Sequence, residues 1–370
     1  MNSENPNLAN LNKSRPHYPA LDGIRGVAIL LVVIYHNFGF INKYFFLGWL
    51  GVDLFFVLSG FLITDILLST VGSPNYLRNF YIRRVLRIFP LYFLMLIVFL
   101  LLLPLFPYFK TQFNYYTENQ FWLWTYFQNW LFIIKPAASS NILHHFWSLA
   151  VEEQFYLLWP LVILLIKKPT YLLAFISFLL VCTLGLRLWI WMHHIADLSY
   201  YNLYTFTRID GICIGCMVAL LLRINANFLK KHTSVIVLFF AAVNFAIFFI
   251  NRRHQFSFPY LALVGYTTFA MMFGLLVNQA LTRENKVINS IFNISLLKFF
   301  GRISYGFYIL HWPVYLLLKP YLLAWLSHFT NNITCEFLTS LITTSFAVIL
   351  SWVSASYFES YFLNLKKRFI

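Results

Sequence analysis

LDGIRGVAILLVVIYHNF, residues 21–38, decides the class of this protein. Its centre, Val27 to Ile34, is unbroken hydrocarbon. Asp22, Arg25 and His36 nevertheless sit in the same helix-length run. Charged groups are costly inside a bilayer and mark function when they occur there. At 100° per residue the eleven steps from Arg25 to His36 return to within about 20° of the same face, and they climb about 16 Å. Asp22 and Arg25, three apart, are placed to pair. One polar seam therefore runs up an otherwise apolar helix. It reads either as a helix-end ion pair plus a histidine bonded to backbone, or as a catalytic or proton-handling histidine with a partner arginine.

The rest of the chain repeats the theme. Of 370 residues 60% are hydrophobic, only 11% are charged and Phe alone occurs 42 times. A soluble globule normally carries about 25% charged residues, so this is an integral membrane protein. Ten segments approach the roughly 20 apolar residues that a span requires: 21–40, 46–69, 88–107, 143–166, 170–192, 205–223, 232–250, 258–279, 296–317 and 337–360. The expectation is an all-α polytopic bundle of about ten transmembrane helices. Residues 1–17 form a polar tail, 18–362 one membrane domain and 363–370 a basic tail. The aromatic stretch 121–135 is too short to span and reads as an interfacial or re-entrant piece.

The net charge of +15 fits Lys and Arg at cytoplasmic loops and beside anionic lipid rather than nucleic acid. Nineteen basic residues fall inside and eight outside when both termini are cytoplasmic. The pair Arg252–Arg253 argues locally against that, and an odd span count stays open. Cys213 and Cys216 have the spacing of a redox or metal pair, but no second pair completes a zinc site, so no metal is expected.

Further polar groups recur at the span ends. GWLGVDLFFVLSGFLITDIL (48–67) carries Asp53, with Ser59 and Gly60 suited to close helix packing or to a ligand against backbone. YLRNFYIRRVLRIFPLY (76–92) brings Arg83, Arg84 and Arg87 together, either as positive-inside anchors or as a clamp for a phosphorylated ligand. In HHFWSLAVEEQFYLLWP (144–160), His145, Ser148, Glu152, Tyr156 and Trp159 share a face, with Trp147 beside them. Ser148 near His145 is conceivable as a nucleophile or as packing. FTRIDGICIGC (206–216) holds Arg208 and Asp210, whose i, i+2 spacing assigns them different partners. GRISYGFYILHWPVY (301–315) aligns Gly301, Ser304, Tyr308 and His311, a stripe that lines a sugar groove or knits the bundle.

Neutral imidazole accepts a proton near pH 7. On the residues alone, His36 and Glu152 suit an enzyme and a proton-coupled transporter or exporter of a glycan or small metabolite equally; a non-catalytic scaffold is the third class. These blocks, in this order over about residues 17–360, resemble the membrane-bound acyltransferase 3 family. The resemblance implies an O-acyltransferase, an O-acetyltransferase with acetyl-CoA as donor, acting on a glycan, lipopolysaccharide or related envelope acceptor at the bacterial plasma membrane. It implies that His36 is catalytic as general base or transient acyl carrier, that Arg25 helps form the site, and that Arg84 and Arg87 engage acyl-CoA. Glu152 matches the acid of the family's Glu-x-Gln-Phe-Tyr block, and Glu152 or Asp53 is expected to orient the histidine. The chain is similar to relatives that stand alone, without a C-terminal esterase-like domain.

Overall fold

The computed structural model describes residues 18–41, 46–136, 142–194, 203–254, 261–282 and 286–365. The polar tail 1–17, Lys43, Arg283 and the basic residues Lys366, Lys367 and Arg368 lie outside them. The described residues are mostly helical, with no strand among them. In chain order the helices are α1 (Pro19–Asn37), α2 (Leu50–Thr70), α3 (Tyr76–Leu96), α4 (Pro107–Glu118), α5 (Gln120–Trp124), α6 (Gln128–Ile134) and α7 (Trp147–Ile166). Then follow α8 (Pro169–Met192), α9 (Asp210–Ile224), α10 (Ala226–His254), α11 (Tyr266–Thr282), α12 (Lys286–Phe292), α13 (Ser295–Leu326) and α14 (Asn332–Val353).

Among the described residues all ten expected segments carry helix, and eight helices are long and apolar enough to cross a membrane. The remaining two are α9, which has 15 residues, and α10, whose apolar stretch is Thr233–Ala246. The stretch 121–135 breaks into α5 and α6 around Tyr126, which has a left-handed backbone (φ 58°). Irregular backbone is tolerated in such a bundle where protein groups satisfy it, and here Gln154 Nε2 donates to the Tyr126 carbonyl (2.8 Å) and Gln128 Nε2 to that of Phe146 (2.8 Å).

Local signals set the helix ends. Proline opens α1, α4 and α8, where its missing N–H has no helical partner to lose. Asn331 caps α14, its Oδ1 accepting from Thr334 N at 2.9 Å. Pro160 interrupts α7, and tyrosines of α3 serve the carbonyls around it: Tyr81 donates to Leu157 O (2.7 Å) and Tyr76 to Pro160 O (3.3 Å).

The centre is held by backbone-to-backbone approach. α1 packs most extensively on α13, and α2 on α9. A Cβ at Gly26 would overlap the Leu297 carbonyl, one at Gly301 that of Asp22, and one at Gly23 that of Phe292. Gly60 meets Ile212 and Gly215 meets Val57 in the same way across α2 and α9. Lipid tails are as apolar as leucine, so helices associate through such close contact rather than by expelling water. The first helix is continuous through Gly23 and Gly26; these glycines are packing sites, not breaks.

Gly26→Ala should therefore lower thermal stability in detergent, by roughly 1–3 kcal/mol as expected for overpacking. Gly185→Ala is the control: nothing lies within 4 Å of the added methyl, and helix propensity favours alanine by about 0.5–1 kcal/mol. The two melting temperatures should move in opposite directions.

Candidate functional site

Among the described residues, two neighbouring cavities are both walled by Val52 and Tyr308. The smaller, about 100 Å³, is lined by Arg25, Arg84 and Arg87 facing Glu152 and Glu153. Arg25 Nη1 stands 3.4 Å from Asp22 Oδ1, as the i, i+3 spacing requires. Tyr156 donates to Glu152 Oε2 at 2.7 Å, and the Arg84 guanidinium lies 4.9 Å from the Tyr156 ring centre. Arg87 is exposed at its edge.

The larger cavity, about 330 Å³, is lined by His36, His144, His145, Trp147 and Arg208 with Trp49 and Tyr266. Between the two, Ser148 Oγ and the Tyr308 hydroxyl are 2.6 Å apart, and Tyr308 donates to the His145 carbonyl at 2.7 Å. With the Tyr308 hydrogen so committed, Ser148 is the donor of the pair.

His36 is fixed by a chain of hydrogen bonds whose direction is forced. His311 Nδ1 faces two backbone carbonyls, Tyr308 O at 2.8 Å and Phe307 O at 3.0 Å. Carbonyls only accept, so this nitrogen carries a hydrogen. In the neutral ring His311 Nε2 is then a lone pair. It lies 3.0 Å from His36 Nδ1, so His36 Nδ1 donates and His36 Nε2 is left as a bare acceptor. The His36 ring is further boxed by Trp312, with centroids 5.0 Å apart, and by His145 at 6.5 Å.

A second buried group of charges flanks the larger cavity. Arg208 Nη2 is 2.9 Å from Asp53 Oδ1, and Arg187 Nη2 is 2.9 Å from Asp210 Oδ2. Thr267 donates to Asp210 Oδ2 at 2.6 Å and accepts from Arg187 at 3.0 Å. The Thr207 carbonyl accepts from Arg187 Nε (2.7 Å) and Nη2. Among the described residues no group of three or more His, Cys, Asp or Glu is placed to hold a metal, and Cys213 and Cys216 are buried free thiols.

The sequence candidates thus separate. Arg25, Arg84, Glu152, Ser148, Ser304 and Tyr308 meet at the smaller cavity with Arg87, while His36, Trp147 and Arg208 line the larger. Arg83 lines neither. Asp53 holds Arg208, and Glu152 takes its hydrogen bond from Tyr156; the partner of His36 is His311, which lies behind it at 0% exposure rather than in a groove. Ser148 bonds Tyr308 and not His145. Arg208 and Asp210 take different partners, as their spacing requires.

The family's sequence model, described as an acyltransferase domain, matches residues 18–355. The chain belongs to the acyltransferase 3 family. It is a multi-pass membrane protein of that family. It is 30% identical over 325 residues to YrhL of Bacillus subtilis, provisionally named a peptidoglycan O-acetyltransferase, covering 82% of this chain and 49% of that one. It is 29% identical over 329 residues to the peptidoglycan O-acetyltransferase OatA of Listeria monocytogenes, covering 84% and 51%. The chain spans about half the length of these curated relatives. No solved structure matches it.

Two elements of this acyltransferase 3 bundle escaped the sequence reading. Arg187 was only a basic residue counted toward one side, although its place within the apolar run of α8 marked it. The link from His311 to His36 crosses 275 positions and leaves no local signal. Because Arg187 is fully buried against Asp210, Arg187→Met should strand a carboxylate, at a cost of about 3–5 kcal/mol. Detergent melting curves should show that loss, and the double variant with Asp210→Asn should recover part of it.

Proposed function

We propose that this acyltransferase 3 chain transfers an acyl group, acetyl by analogy with its named relatives, from acetyl-CoA to a hydroxyl of an envelope glycan at a bacterial plasma membrane. The observation that carries the reading is the bare Nε2 of His36, oriented by His311 and turned to a cavity large enough for an acceptor. In this reading Arg84 and Arg87 attract the phosphates of the donor, and the cavity of about 100 Å³ behind them receives its thioester end rather than its nucleotide.

The acceptor hydroxyl gives its proton to His36 Nε2 as its oxygen bonds to the thioester carbonyl carbon. Collapse breaks the carbon–sulfur bond, and the imidazolium returns the proton to the departing thiolate. The resulting cation is stabilised because His36 Nδ1–H already has an acceptor in His311. The reacting groups meet at the wall shared by Val52 and Tyr308, so the Ser148–Tyr308–His145 bonds must rearrange for acyl passage. The Tyr308 hydroxyl, once released from the His145 carbonyl, is a donor for the developing oxyanion.

The test is purified protein in nanodiscs with radiolabelled acetyl-CoA and a peptidoglycan-derived oligosaccharide. His36→Ala should lower transfer by about 10²–10⁴-fold, the usual worth of a general base. His311→Gln keeps an acceptor oxygen for His36 Nδ1–H and should retain more activity than His311→Leu. Transfer by a folded His36→Ala protein at the wild-type rate overturns the mechanism. In the same assay Arg87→Ala should raise KM for acetyl-CoA several-fold with little change in kcat, since it removes attraction for the donor rather than chemistry.

A further inference from the structure

Arg208 is 2% exposed, yet its hydrogen-bonding capacity is only partly used. Nη2 faces Asp53 Oδ1 at 2.9 Å, and the guanidinium lies 3.9 Å from the centre of the Tyr266 ring. Nε and Nη1 have no hydrogen-bond partner among the described residues. A buried donor left unmet is costly, and this side chain lines the same 330 Å³ cavity as His36. The cavity is at the small end of ligand pockets, which run about 300–1,000 Å³. That is room for one sugar ring with its substituents, in a chamber whose lining includes Trp49, Trp147 and Tyr266.

The charge of this wall is already balanced. Asp53 answers Arg208, and Asp210 answers Arg187. The guanidinium therefore offers N–H donors without an uncompensated positive charge. A neutral carbonyl or hydroxyl oxygen satisfies such donors at no electrostatic cost. A carboxylate or phosphate brought to them would sit beside Asp53 and leave a net negative charge in a poorly solvated chamber.

We propose that the larger cavity is the acceptor subsite and that the Asp53–Arg208 pair makes it selective for an uncharged glycan unit, excluding acceptors that carry an anion on the reacting sugar. This rests on the acyl-transfer reading above. Arg208 binds a neutral oxygen of the acceptor, and Asp53 sets the sign of charge the subsite accepts.

The test uses one disaccharide, N-acetylglucosamine linked to N-acetylmuramic acid, as the free lactyl acid and as its lactyl amide. The full-length chain in nanodiscs is given acetyl-CoA and each acceptor in turn. Wild-type protein should use the amide at least tenfold better in kcat/KM. Asp53→Asn, its fold checked by acetyl-CoA binding, should shrink that ratio at least tenfold by improving the acid. Arg208→Lys should raise KM for the amide and leave KM for acetyl-CoA unmoved. Equal or better use of the acid by wild type overturns the proposal, whether or not the variants fold. A folded Asp53→Asn protein with the wild-type ratio overturns it too. Absence of transfer to both acceptors by wild type overturns instead the acyl-transfer reading, and this proposal with it.

Discussion

Two helix backbones crossing with no side chain between them is the constraint on which the rest of the bundle depends. Gly26 of α1 and Gly301 of α13 each rest on a carbonyl of the other element, so the helices cannot slide without collision. His36 lies ten residues beyond Gly26, and His311 lies ten beyond Gly301. Equal rises of about 15 Å along neighbouring helices bring the two imidazoles to one level. The crossing thus sets the register of a hydrogen bond far above it. A looser contact at the glycines would cost the histidines their alignment before it cost the helices their fold.

The buried charges follow a different logic in each half of the interior. Around the smaller cavity, Arg84 and Arg87 are joined by Glu152 and Glu153 in a space with an exposed edge. Around the larger one, Arg187–Asp210 and Arg208–Asp53 are closed pairs with almost no exposure. Closed pairs add little net stability, but they fix geometry, and they hold the single turn Thr205–Arg208 against α2, α8 and α11. Arg208 is thereby presented to the cavity from a short turn that has little rigidity of its own.

The sequence made the spans legible because a hydrocarbon core demands length and composition, and both are local properties. It also made the seam of Arg25 and His36 legible, since helical periodicity alone decides which face each occupies. The splitting of Arg208 and Asp210 between two partners followed from the same geometry. What periodicity cannot carry is the identity of a partner on another helix. Whether His311 lines a groove or knits the bundle stays open in the sequence, because its own helix gives no account of what stands opposite. Asp53 and Glu152 looked like orienting groups for His36 by chemistry, and helix packing gave that place to His311 instead. The division into two cavities was equally invisible, because it depends on Tyr308 reaching Ser148 across the bundle.

The hydrogen-bond chain behind His36 ends on the carbonyls of Phe307 and Tyr308. An amide oxygen receives a hydrogen bond but does not pass a proton onward, so the chain is a blind wire. A proton accepted at Nε2 cannot leave through His311 and has to go back to the cavity side. In the proposed reaction no proton would cross the bundle through this pair of histidines, so this path would draw nothing from the transmembrane voltage, worth about 2.3 kcal/mol per charge per 100 mV.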